Sequence, residues 1–324
     1  MKDRYGREID YLRISITDRC NLRCIYCMPE EGICQTTHDE ILTYDEIQRI
    51  CCCMTTLGIR KIKLTGGEPL TRKNSPVLVK MLKELPGIEK VTLTTNGILL
   101  GEQMRNLADA GLDNINISLD TLNEHEFKKI TRREGLSKIL KSIREALSYP
   151  EIGLKINCVP LLEDSQNLIE IAGIARDYPI HVRFIEMMPI GYGKEFRFRS
   201  EDEICSILES AYGKMTSITE RYGNGPGHYY RIEGFQGKIG FISAMTHKFC
   251  ARCNRVRLTS EGYLKACLQY QTGTDLKTMM RSGCTDEELT ETIRRVIWEK
   301  PGEHHFTTQT VSEDEKKLMS QIGG

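Results

Sequence analysis

The chain has 324 residues, 40% hydrophobic and 28% charged, with Lys+Arg and Asp+Glu both at 45. That is enough apolar material for two domains, or for one large α/β domain with an appendage. The balanced charge argues against bulk nucleic-acid binding, so an anionic ligand would need a local basic pocket. The opening residues Met1 to Gly6 carry no apolar signal core, and no apolar run reaches membrane-spanning length; a cytoplasmic protein without a membrane partner is expected.

Short β-rich runs alternate with helical stretches through the first two thirds. Strands are predicted at Leu12–Ile16, Lys61–Leu64, Lys90–Thr95, Asn114–Leu119, Leu154–Val159 and His181–Glu186. Helices are predicted at Asp45–Leu57, Ser75–Leu85, Glu102–Ala110, Leu136–Tyr149 and Asn167–Arg176. Such βα units imply a parallel sheet, because each crossover helix returns the chain to the same edge. Functional residues then belong just past the carboxyl ends of the strands. The unusual segments fall there: a cysteine triplet after the first strand, Gly66-Gly67-Glu68-Pro69 after the second, Thr94 to Gly97 at the third, Ser118 to Asp120 at the fourth, and Met187-Met188-Pro189 after the sixth.

After about residue 212 the pattern changes. Ser217–Tyr222, His228–Ile232, Lys238–Ile242 and Arg255–Thr259 read as strands between Gly-rich turns, and Thr285–Trp298 as a helix. Two domains are expected, 1–212 and a smaller α+β domain 213–324, the latter ending in Gly323-Gly324.

Thirteen cysteines in a chain of this kind point to metal ligands or reduced core residues rather than disulfides. Cys20, Cys24 and Cys27 form a C-x3-C-x2-C triplet. Three closely spaced thiolates are one short of a closed zinc or four-iron site, which suggests a cluster with one iron left open, half of a zinc site being the other reading of the triplet taken alone. Cys250 and Cys253, with Cys267 farther on, form a second incomplete set; on spacing alone, His247 or His304/His305 completing a zinc site is an equal reading. The other seven are expected to be structural, including the Cys51-Cys52-Cys53 run, which sits on a helix opened by a Thr43/Glu46 capping box.

The first triplet at a strand end, followed one βα unit later by Gly-Gly-Glu-Pro, resembles the radical S-adenosylmethionine (SAM) superfamily. The resemblance implies a partial (βα)6 TIM-like barrel and a [4Fe-4S] cluster on Cys20, Cys24 and Cys27. Its open iron would chelate the amino and carboxylate groups of SAM, and reductive cleavage would give methionine and a 5′-deoxyadenosyl radical. It also implies SAM contacts from Tyr26, Gly67, Ser118 and Met188. Paired glycines let a backbone pass close to a ligand, and Pro69 fixes the exit of the turn; backbone carbonyls there, or Glu68 indirectly, are expected to meet the ammonium of SAM.

The run Phe249 to Thr259, together with Gly6-Arg7, Tyr11 to Ser15, Met28-Pro29 and the terminal Ile322-Gly323-Gly324, is similar to the GTP 3′,8-cyclase family of molybdenum cofactor biosynthesis. That resemblance covers essentially the whole chain. It implies a second [4Fe-4S] cluster on Cys250, Cys253 and Cys267, whose open iron holds the purine base of GTP. The implied activity is that of a lyase: the radical takes the ribose 3′ hydrogen, and the carbon radical attacks C8 of guanine to give a precursor of cyclic pyranopterin monophosphate. Implied GTP contacts are Arg13, Lys63, Thr94, Lys155, Arg255, Val256 and Arg257. Arginine offers planar bidentate contacts to phosphate, Arg255 and Arg257 share strand parity, and an inward lysine on a strand is costly unless a ligand compensates it. Arg255, Arg257, Gly323 and Gly324 are the implied catalytic residues, with the tail threading into the cavity. Implied partners are a flavodoxin-type electron donor, a downstream cyclic pyranopterin monophosphate synthase and a second copy in a homodimer. Two other readings stand beside this one. A peptide-modifying radical SAM enzyme would typically carry more auxiliary cysteines, and a non-catalytic zinc or cluster scaffold would not cleave SAM.

Overall fold

The structure, a computed structural model, describes residues 1–34, 36–162, 166–220, 222–306 and 314–323. Gly324, one of the expected tail residues, lies outside these. Six strands form in the predicted order: β1 (Tyr11–Ser15), β2 (Lys61–Thr65), β3 (Lys90–Thr95), β4 (Asn114–Ser118), β5 (Gly153–Cys158) and β6 (His181–Ile185). Each pairs in parallel with the next. The crossovers are α1 (Tyr44–Thr56), α2 (Ser75–Lys83), α3 (Leu100–Asp109), α4 (Glu124–Thr131) with α5 (Leu136–Ala146), and α6 (Leu168–Asp177).

Local chemistry accounts for these elements. Thr43 accepts from the Glu46 backbone and Glu46 reaches back to Thr43, so the first orphan amides of α1 are satisfied. Ile47, Ile50, Cys51, Cys53 and Met54 then face the sheet. On the strands, alternate residues such as Leu12, Ile14, Ile62 and Leu64 are fully buried under the helices. The residues between them point to the other face, which is the barrel interior.

The C-terminal part does not form a sheet of its own. After α7 (Glu201–Tyr212) come β7 (Thr216–Ile218), β8 (His228–Arg231), β9 (Ile239–Ile242), β10 (Arg255–Leu258), β11 (Tyr263–Lys265) and β12 (Thr274–Asp275). The order β12-β11-β10-β1-β2-β3-β4-β5-β6-β9-β8-β7 makes one twelve-stranded sheet. β10 joins β1 and β9 joins β6 in parallel, and antiparallel pairs finish both edges. The chain after β6 therefore closes the barrel from both sides. Three helices follow: α8 (Leu276–Arg281), α9 (Asp286–Trp298) and the short α10 (Met319–Ile322). The strand expected at Ser217–Tyr222 is shorter than predicted, ending at Ile218. Among the described residues, no helix is long and apolar enough to cross a membrane.

Candidate active site

One cavity of about 630 Å³ runs through the barrel, from the carboxyl ends of the strands (Thr95, Ser118) to their amino ends (Lys90, Asn114, His181), and all six cysteines of the two triplets line it. The first triplet sits on the loop after β1. That loop is pinned to the end of α4 by Arg23 N–H to Thr131 (2.9 Å) and Ile25 N–H to Ile130 (2.9 Å), and is turned by Cys27 N–H to Cys24 (2.9 Å). The Leu22 amide and the Asn96 side chain donate to the Cys20 sulfur at 3.4 and 3.8 Å. Burial pushes the Cys20 thiol up to about 11 and the Cys27 thiol up to about 12; Cys24 rises too, by burial and then by its two cysteine neighbours. Positive charge placed beside these thiols would favour their thiolate forms. Among the described residues no three His, Cys, Asp or Glu side chains converge on a single ion.

Gly66 and Gly67 line the cavity and also make a close backbone contact. A Cβ on Gly66 would lie 2.6 Å from the Thr17 carbonyl, and one on Gly67 would lie 2.5 Å from the carbonyls of Asp18 and Arg19. The amides of Gly67 and Glu68 donate to Thr17 and Arg19, both at 2.7 Å. The glycines thus let the β2 loop press on the stem of the cysteine loop. Glu68 is also occupied, accepting from Leu70 N–H (3.0 Å), the Thr95 hydroxyl (2.7 Å) and Asn96 N–H (2.6 Å). Burial lifts its carboxyl to about 7 against those hydrogen bonds. Its visible role is to tie the ends of β2 and β3 together.

Tyr26 lies between two cysteines and donates its hydroxyl to Asp120 at 2.6 Å; Asp120 also accepts from Val159 N–H at 2.8 Å. Burial raises Asp120 to about 6. Sequence reasoning placed Asp120 at a strand end but gave it no role. Gly67, Ser118 and Met188 line the same part of the cavity.

Inside the barrel the strand register assembles cations. Arg257 pairs with Arg13 and Arg13 with Lys63 across β10, β1 and β2, while Lys155 stands opposite His181 on β5 and β6. Lys63, Lys155 and Arg257 are buried, and all line the cavity with Arg13, Arg183 and Arg255. Burial, and then mutual repulsion, lowers them: Lys155 to about 7, Arg13 to about 10, and Lys63 and Arg257 well below their usual ranges. His181 falls to about 4 for the same reasons. Such a shell favours a polyanion strongly. Arg183, held to the Asn157 side chain at 2.5 and 3.0 Å, was not singled out in the sequence. The signal existed, since it occupies an inward strand position like Lys63. Thr94 lines the cavity and accepts from Asn116 at 3.4 Å. Val256 is fully buried in the core, on the other face from Arg255 and Arg257, and is not among the residues lining the cavity.

The second triplet stands across the cavity. Cys250 and Cys253 lie on the turn before β10, and Cys267 follows β11. Burial would raise the Cys253 thiol, but Lys300 and Arg255 overcome it and bring it down to about 6. His304 reaches the Cys250 sulfur through its backbone N–H, whereas His247 sits beside Glu201 at 3.6 Å. Arg257 donates to the Gly323 carbonyl at 2.6 Å, and the Ser320 amide is bonded to the Cys27 sulfur. The tail therefore enters between the two triplets. A Cβ on Gly323, at φ +80°, would meet Thr65 Oγ1 at 2.7 Å. Of the remaining cysteines, Cys51, Cys53 and Cys158 are core residues, but Cys34 and Cys52 are exposed.

Comparison with known proteins agrees with this geometry. Residues 14–172 match the Radical SAM superfamily, and residues 180–306 match the Molybdenum Cofactor Synthesis C family. The chain is 47% identical to GTP 3′,8-cyclase of Clostridium perfringens (strain 13 / Type A), and 44% identical to that of Syntrophomonas wolfei subsp. wolfei, in each case over 100% of both chains. Among solved structures, Streptococcus suis SuiB bound to S-adenosylmethionine superposes with a TM-score of 0.60 at 17% identity, covering 83% of this chain and 63% of SuiB. At that identity the likeness speaks for the fold alone.

Proposed function

The chain belongs to the GTP 3′,8-cyclase family of radical SAM enzymes, and on that premise we propose how its own residues divide the work. The enzyme is a lyase that uses SAM and [4Fe-4S] clusters to convert GTP to 3′,8-cyclo-7,8-dihydro-GTP, the first step of molybdenum cofactor biosynthesis. Cys20, Cys24 and Cys27 hold the first cluster, and Cys250, Cys253 and Cys267 the second. When loaded, the first site supplies a 5′-deoxyadenosyl radical from SAM. The observation that carries this division is that both triplets line one cavity with a buried cationic wall between them.

Tyr26, Gly67, Ser118 and Met188 bound the SAM side. Arg13, Lys63, Lys155 and Arg183 neutralise the triphosphate; anions bound there restore their charged forms, so binding and protonation are coupled. Arg255 and Arg257 lie nearest the second triplet and orient the nucleotide, with Thr94 beside it. Gly323 brings a side-chain-free backbone carbonyl up to Arg257, and excess volume there would misplace that guanidinium; Gly324 is proposed to serve turnover with it. Residues 1–212 form the barrel that makes the radical, and 213–324 complete the substrate wall. The proposal extends to a flavodoxin-type electron donor, a homodimer, a cytoplasmic setting and transfer of product to a cyclic pyranopterin monophosphate synthase.

Replacing each triplet by alanine separates the roles. Loss of the first should abolish SAM cleavage, and loss of the second should leave SAM cleavage without GTP consumption. Anaerobic reconstitution should give about eight irons in the parent and about four in each triple variant. A parent holding zinc and no iron would overturn the assignment.

A further inference from the structure

Two buried cations with no assigned SAM or GTP contact tie the loops of the second triplet to the 300–302 turn. Arg7 is 7% exposed and sits on Asp3, whose side chain is fully buried, with the Arg7 Nε to Asp3 distance at 2.6 Å. Its guanidinium then donates to four backbone carbonyls: Cys250 and Gly302, both at 2.9 Å, Pro301 at 2.6 Å and Lys300 at 3.4 Å. Lys300, on that same turn, is 2% exposed. Its ammonium donates to the carbonyls of Arg255 (2.9 Å) and Ala266. Those contacts reach the chain just after Cys253 and just before Cys267.

We infer that Arg7 and Lys300 form a two-cation buckle that sets the spacing of Cys250, Cys253 and Cys267 and places positive charge behind their thiolates; this rests on the assignment of a cluster to that triplet. The three cysteines come from two loops joined by the short β10–β11 hairpin; pairing of β10 with β1 and Asn254 donating to Asp10 at 2.6 Å hold the strand, and the two cations hold the arms around it. Arg7 ties the Cys250 arm to the 300–302 turn, and Lys300 ties that turn to the other two arms. A charged group bonded to carbonyls is among the stronger hydrogen-bond types, and when buried it is costly to remove from one side only. Neither residue contacts the SAM wall. Arg7 and Lys300 are therefore positioning residues, and their loss should be felt at one cluster and not the other.

The test is Lys300→Met, which keeps the stem and removes the ammonium, in the full-length chain reconstituted without oxygen. Iron should fall from about eight to about four per chain, while SAM is still cleaved to 5′-deoxyadenosine and GTP affinity drops at least tenfold. Retained SAM cleavage reports an intact barrel, so general unfolding is excluded by the same sample. Lys300→Arg should recover most of the second-site iron, which a simple packing role would not predict. A variant with eight irons and parental GTP affinity would overturn the buckle. If Lys300→Met is insoluble, Arg7→Gln, which loosens the opposite end of the turn, decides by the same iron count. Failure of the underlying cluster assignment looks different: the parent itself would then hold only four irons.

Discussion

Lys155 offers the sharpest quantitative consequence of a cationic wall. It is 6% exposed, and burial, then Arg183 and Lys90, bring its ammonium from 10.5 to about 7. A depression of that size corresponds to about 5 kcal/mol disfavouring the charged form. A triphosphate placed against it would restore much of that, so the bound form titrates at a higher pH than the free form. Between the two values, GTP binding takes up a proton. The sign follows: affinity is greatest below about pH 7 and weakens as pH rises through the free-enzyme value, by up to about tenfold per pH unit for one such group. Titration calorimetry from pH 7.5 to 9, in buffers of different ionisation enthalpy, measures the uptake directly where the terminal phosphate is already ionised. Uptake approaching one proton is expected near pH 8. Lys155→Arg should flatten the dependence, because guanidinium keeps its charge across that range. Affinity independent of pH in the parent, with no proton uptake, would refute the coupling.

Gly67→Ala drives a Cβ to 2.5 Å from two carbonyls on the stem of the first cysteine loop, and should cost about 2–4 kcal/mol of stability with loss of first-site iron, read by thermal melting and iron assay. Gly323→Ala meets Thr65 Oγ1 at 2.7 Å in a left-handed backbone; strain of about 1–3 kcal/mol at the tail should lower kcat by about tenfold or more while leaving Tm unchanged. Unchanged turnover would remove the tail from the mechanism. Cys52→Ala, at an exposed position on α1, should leave iron content and turnover as they were, and a lost cluster would show that the cysteine run is more than helix surface.

The barrel was readable because its signals are local. Alternating runs such as Leu12, Ile14 and Ile62, Leu64 mark strands, and the Thr43/Glu46 box marks a helix start. Both cysteine triplets were readable for the same reason. What escaped was long-range. Nothing in the short β11 or β12 says that they extend the β1 edge, because edge pairing depends on which strand is left open. Lys300 precedes a proline and has no periodic neighbour; its role arises only when a segment 293 residues away brings Arg7 to the same turn. The backbone contact of the Gly-Gly turn is not legible in the sequence, since two glycines mark close approach without saying whether it is to a ligand or to another stretch of chain. Arg183 was accessible to the inward-parity rule that found Lys63 and Lys155.

The most direct measurement uses GTP deuterated at ribose C3′, incubated without oxygen with the enzyme, SAM and a one-electron reductant. Deuterium should appear in 5′-deoxyadenosine, alongside a cyclised isomer of GTP formed in matching amount. 5′-Deoxyadenosine that carries no deuterium, or forms with GTP intact, would contradict a single cavity in which one triplet makes the radical and the other holds its target.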